Sequence, residues 1–212
     1  MSSHVSSKSL SVSPGNPAKT SVPALWLALY AYGFMLYFDF SGYTDMALGV
    51  ARLIGFELPE NFSAPYLKSN LARFWQSWHM TLSAWARDYV FFPLARTLRL
   101  RADWLPANGT ALLCHLTTMI VIGLWHGFSW TFVAWGVWHA VGLFVVKIWG
   151  DYRRPRTAAA RRASATRSGR TAWRALPGWF LTFNYVMLGW VFFGARDLDS
   201  AITILGRLFG MT

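Results

Sequence analysis

Two histidines, each preceded by a tryptophan, have the means to do chemistry in this chain: Trp78-His79 and Trp125-His126. An imidazole titrates near neutrality and, when neutral, takes a proton from a hydroxyl; a site shielded from water favours that neutral form. Both pairs sit in stretches more apolar than a soluble enzyme tolerates. The chemistry they suggest is proton transfer inside a membrane.

The elements that must position them are read from composition first. Of 212 residues, 54% are hydrophobic and 17% aromatic, with 13 Trp and 16 Phe and only 14% charged, the balance of lipid-embedded helices. The expected fold is all-α and polytopic, with about four or five membrane helices plus an amphipathic interfacial helix. The net charge of +11 comes from 20 Lys+Arg against 9 Asp+Glu, and the basic residues cluster in short loops between apolar runs. That is a topology signal, and with no soluble basic domain to carry it, nucleic-acid binding is not expected. The single cysteine, Cys114, excludes a disulfide framework and a cysteine-based zinc site, and reads as a small packing residue; no metal is expected.

Along the chain, residues 1–21 form a Ser/Pro/Lys-rich head without an apolar signal-peptide core and read as disordered. A membrane core follows over 22–149, then an Arg-rich loop over 150–174, then C-terminal membrane helices over 175–212. Within the core, 23–38 is almost wholly apolar and predicts a membrane helix with a polar end. After it, Asp39, Ser41, Tyr43, Thr44 and Asp45 place carboxylates and hydroxyls that a lipid-facing surface could not accept. Helical pattern resumes over 46–56 and breaks at Pro59. Residues 70–92 predict one amphipathic helix capped by Asn70, with Phe74, Trp75, Trp78, Leu82, Trp85 and Tyr89 on one face, His79 at its margin, and Pro93 ending it. The basic residues Arg96, Arg99 and Arg101 follow.

Two apolar runs, 111–125 and 130–149, make a tight pair with His126 at the turn. The connector 151–174 carries Arg153, Arg154, Arg156, Arg161, Arg162, Arg167, Arg170 and Arg174, and by the positive-inside rule is cytoplasmic. It also suits attraction of a phosphate-bearing donor or anionic head groups. Residues 179–193 predict another span and 201–209 a short terminal helix. His139, after Trp138, reads as an interfacial anchor, and His115 as a helix-packing residue.

Four motifs occur in order. They are Tyr37-Phe38-Asp39-Phe40-Ser41-Gly42-Tyr43-Thr44-Asp45, Leu58-Pro59-Glu60-Asn61-Phe62, the stretch from Phe74-Trp75-Gln76-Ser77-Trp78-His79 to Ala86-Arg87-Asp88-Tyr89, and Gly123-Leu124-Trp125-His126-Gly127. Together they resemble the membrane-bound O-acyltransferase family, in particular the bacterial branch of alginate O-acetyltransferases and the teichoic-acid D-alanyl transfer protein. Leu188-Gly189-Trp190-Val191-Phe192-Phe193 is a weaker echo.

The resemblance implies transfer of an acyl group, acetyl foremost, from a thioester donor such as acetyl-CoA or an acyl-carrier protein to a hydroxyl of a cell-envelope polysaccharide. It implies a bacterial inner-membrane protein, with no bound cofactor, working with the lipid bilayer, a polysaccharide acceptor and envelope acyl-transfer partners. The position of His126 matches the family's active-site residue and His79 its second important histidine, with Trp125 beside them. Asp39, Asp45, Arg87 and Asp88 are candidates for orienting the two histidine segments.

Two departures stand out. The family's glycine pair after the Pro93 region is replaced by Leu94-Ala95-Arg96, and the match is to the C-terminal half of chains roughly double this length. The expectation is therefore an acyltransferase incomplete in this chain. The alternative is a catalytically silent fragment, or a scaffold subunit of a polysaccharide synthesis or export complex.

Overall fold

A backbone crossing lipid must satisfy its own N–H and C=O groups, which leaves helices or closed barrels. The computed structural model describes residues 21–102, 104–153 and 175–211, and among these it contains helices and no strand. The head over 1–20 and most of the Arg-rich connector, from Arg154 to Arg174, lie outside the described residues. In chain order the elements are α1 (Val22–Leu53), a 3-10 turn (Pro65–Leu67), α2 (Leu71–Trp75), α3 (Met80–Ala86), a π-helical turn (Arg87–Phe91), α4 (Phe92–Arg101), α5 (Ala107–His126), α6 (Trp130–Arg153), α7 (Leu176–Gly194) and α8 (Leu198–Leu208). Four of them, α1, α5, α6 and α7, are long and apolar enough to cross a bilayer. The chain is a multi-pass membrane protein.

The first helix differs from its prediction. It runs unbroken for 32 residues, about 48 Å at 1.5 Å per residue, well beyond the roughly 30 Å of a hydrocarbon core. The apolar stretch before Asp39 is nearly enough to span that core, so the carboxylates occur where the helix has length to spare. Asp39 and Asp45 are both exposed.

Helices α5 and α6 form the predicted hairpin, and glycines set how closely they approach. A Cβ on Gly123 would fall on the Phe132 carbonyl oxygen, and one on Gly136 would lie 2.6 Å from the Met119 carbonyl oxygen. Between helices in lipid, close backbone approach of this kind supplies van der Waals packing that holds the pair together. The hairpin packs through α6 on α7, and α7 packs on α1. The short α8, capped by Asp197 accepting from the Ser200 amide at 2.7 Å, closes the bundle where the Trp26 indole donates to the Leu208 carbonyl at 3.0 Å.

Tyr66 pins the centre. Its hydroxyl donates to the Gly33 carbonyl at 2.7 Å and accepts from the Trp190 indole at 3.1 Å, while its own carbonyl accepts from the Trp179 indole at 2.8 Å. A loop residue thus ties α1 to α7, and burial pushes its phenol pKa up. Each net hydrogen bond is worth about 1 kcal/mol, and a buried hydroxyl left unpaired costs more than that.

The predicted single helix over 70–92 is instead two short helices with a break at Gln76–His79. Asn70 caps the first as predicted, its side chain accepting from the Arg73 amide at 2.9 Å. Beyond the break the aromatic face is not shared: Phe74, Trp75 and Trp78 are buried, whereas Trp85 and Tyr89 are exposed. Nor does Pro93 end the helix. It falls at the start of α4 directly after the π-helical turn, and the chain stays helical through Arg101.

His139 is a second correction. It is 0% exposed, enclosed by the rings of Trp75, Trp135, Tyr185 and Trp190, and among the described residues its two ring nitrogens have no hydrogen-bond partner. It is a core residue, not an anchor. Cys114 is buried as a packing residue.

Gly136→Leu should drive α5 and α6 apart, because the contact is with backbone that cannot swing away. We expect a loss of roughly 1–3 kcal/mol or more, typical of overpacking, read as a lowered unfolding midpoint in detergent. Gly150→Leu, where a Cβ meets nothing within 4 Å, should leave the midpoint unchanged.

Candidate active site

The break between α2 and α3 is where the first histidine is placed. His79 has φ 43° and ψ 57°, a left-handed conformation that costs a non-glycine residue about 1–3 kcal/mol and persists only where its surroundings over-determine it. The surroundings are identifiable. The extended segment 61–63 lies along the break: the Met80 amide donates to the Asn61 carbonyl at 3.0 Å, and the Ser63 amide donates to the Ser77 carbonyl at 3.0 Å. Helix ends that would otherwise hold unpaired polar groups in a dry interior are satisfied by this strap. The Asn61 side chain turns to the same place, its Oδ1 lying 3.2 Å from His79 Nδ1 and accepting from the Thr81 amide at 3.2 Å and the Thr81 hydroxyl at 2.7 Å.

His126 reaches the site by a different route, as the last residue of α5, with the hairpin turn at Gly127 directly after it. Around its ring stand Trp125, Phe132, Trp135 and Phe193, with centroids 4.8 to 6.1 Å away. Phe40 packs edge-on to His79 at 4.7 Å, and Trp125 lies 5.9 Å from it, so Trp125 touches both imidazoles.

The two histidines, 47 residues apart in sequence, line one cavity of about 100 Å³. Its other walls are aromatic and aliphatic, among them Phe40, Trp75, Trp78, Trp135, Trp190 and Phe193. That volume is roughly three waters' worth and well below the ~300 Å³ of a small-molecule site. Trp75 and Ile122 also line a larger neighbouring cavity of about 500 Å³ with Gln76, Arg87, His115 and Thr118 among its walls.

Burial lowers the His79 pKa from its ordinary 6.5, so the ring is neutral at pH 7 and free to accept a proton. The four charged residues suggested by sequence lie elsewhere. Arg87 donates to Asp88 at 2.9 Å, forming an exposed pair of sequence neighbours, and Asp39 and Asp45 are on the exposed side of α1. The residue hydrogen-bonded to His79 is Asn61, which sequence reasoning did not single out although it stands in the Pro59-Glu60-Asn61-Phe62 motif. Trp190 and Phe193, from the weaker echo in α7, complete the wall.

A family model described as MBOAT, membrane-bound O-acyltransferase family, matches residues 7–192. Among curated proteins, a probable alginate O-acetylase AlgI of Azotobacter vinelandii is 36% identical over 187 residues, covering 87% of this chain and 32% of that protein. A peptidoglycan O-acetyltransferase of Helicobacter pylori is 36% identical, covering 88% of this chain and 32% of its own length. A teichoic acid D-alanyltransferase of Streptococcus thermophilus is 36% identical, covering 78% of this chain and 40% of its own length. The chain thus spans about a third of the length of the curated relatives it matches.

The lowered His79 pKa has a consequence for stability. Between the folded and unfolded values the unfolded chain binds more protons, so stability falls as pH drops through 6.5. Unfolding midpoints in detergent measured from pH 7.5 down to 5 should decline for the wild type and decline less for His79→Gln.

Proposed function

The chain belongs to the membrane-bound O-acyltransferase family, and on that premise we propose that it moves an acyl group, acetyl foremost, from a thioester to a hydroxyl of a cell-envelope polysaccharide. The observation that supports this reading is the meeting of His79 and His126 on one small cavity with mostly apolar walls. A neutral His126 takes the proton of the acceptor hydroxyl as its oxygen attacks the thioester carbonyl. The tetrahedral intermediate collapses with cleavage of the C–S bond, and the departing thiolate takes the proton back from the imidazolium. The ester is formed and the histidine returns neutral. His79 is the second histidine of the site, and Trp125, in contact with both rings, fixes their separation.

The donor in this reading is acetyl-CoA or an acyl-carrier protein, the acceptor an exopolysaccharide of the alginate kind, and the setting the bacterial inner membrane with envelope partner proteins. The names of the relatives support an acyl group on an envelope polymer; two of the three carry acetyl and one D-alanyl. Arg87 lines the larger cavity and is paired with Asp88, and a role in orienting the two histidine segments is proposed for them, as it is for Asp39 and Asp45 in α1.

The test is incorporation of label from an acetyl thioester into envelope polysaccharide, in membranes of cells expressing the chain. His126→Ala should lower incorporation at least about 100-fold, the lower end for loss of a general base, at equal membrane protein levels. Equal inactivity of wild type and variant would instead support the silent-scaffold reading.

A further inference from the structure

We propose that Asn61 is the positioning residue that selects the tautomer of His79, holding the proton on Nδ1 and leaving the lone pair on Nε2. The inference deepens the acyltransferase reading and rests on it for its catalytic meaning, though not for its chemistry.

A backbone amide can only donate, and the Thr81 N–H is directed at the Asn61 side-chain amide. The atom receiving it must be the oxygen, because the alternative orientation would set an NH₂ against an N–H. Oδ1 is therefore fixed facing Thr81, and the Thr81 hydroxyl donates to it too, at 2.7 Å. The same oxygen lies 3.2 Å from His79 Nδ1. An oxygen cannot donate, so a neutral imidazole bonded to it must carry its hydrogen on Nδ1. Nε2 is then the basic nitrogen.

The placement is not accidental to the fold. The Asn61 carbonyl also accepts from the Met80 amide, so Asn61 binds the two residues directly after His79, Met80 through its backbone and Thr81 through its side chain. His79 itself has a left-handed backbone, and its Nδ1 lies 3.2 Å from the Asn61 side-chain oxygen. Facing the ring from the other sides are Phe40 of α1 and Trp125 and His126 of α5, of which His126 is titratable. Those neighbours provide rings; the carboxamide is what distinguishes one imidazole nitrogen from the other.

The experiment is ¹⁵N NMR of the full chain with labelled histidine in detergent, with the His79 resonances assigned by their loss in His79→Gln. In the wild type, near pH 7.5, Nδ1 should appear as the protonated, pyrrole-type nitrogen and Nε2 as the pyridine-type one. Asn61→Leu, of nearly the same size but without an acceptor, should give a mixture of tautomers. Asn61→Asp keeps the acceptor and adds a charge: it should hold the Nδ1-protonated form and move the His79 titration midpoint up by about one unit or more. An Nε2-protonated wild type would overturn the proposal, and so would an unaltered tautomer in folded Asn61→Leu or an unmoved midpoint in Asn61→Asp. Should Asn61→Leu fail to fold, wild type and Asn61→Asp decide the matter. Because the readout is spectroscopic, a tautomer that follows Asn61 in a chain without transferase activity would sink the functional reading and leave this one standing.

Discussion

The break at residues 76–79 is the constraint on which the site depends. A helix interrupted inside an apolar bundle exposes amides and carbonyls that have no water to turn to, and such groups are tolerated only where something else pairs with them. Here the pairing comes from the 61–63 strap, held in place by Tyr66, whose hydroxyl links α1 to α7. The histidine is where it is because the backbone beneath it has been denied its ordinary conformation.

His126 illustrates the opposite strategy. Nothing about its backbone is unusual; it stands at the end of a regular helix, and the rigid seam between α5 and α6 delivers it. One imidazole is fixed by local strain and hydrogen bonds, the other by long-range packing against Phe132, Trp135 and Phe193. The two converge on one cavity of about 100 Å³ with mostly aromatic walls.

Much of this was legible in the sequence. Hydropathy and length identified the spanning helices, since a bilayer demands long apolar runs and little else produces them. The Asn70 cap and the hairpin turn after His126 were equally plain. The break in 70–92 was not, because the pattern of apolar residues continues through it, and the hydrogen bonds that stabilise it come from a segment 14 or more residues upstream. Asp39 and Asp45 misled for a different reason: polar residues end a membrane crossing without ending a helix, and α1 continues past them. His139 looked interfacial beside Trp138, yet helical rotation separates neighbours, and it faces the core. Asn61 was passed over because an asparagine near a proline is ordinary in a loop, and only its three-dimensional proximity to His79 gives it meaning.

The hairpin seam carries an implication for how such a protein can change over generations. Its geometry is set by two side chains that do not exist, at Gly123 and Gly136, against carbonyls that every amino acid possesses. Residues on the outer faces of α5 and α6 can be exchanged among apolar types with little effect on where the hairpin tip sits. A lineage could therefore rewrite most of the surface that meets lipid while inheriting the position of His126 nearly unchanged.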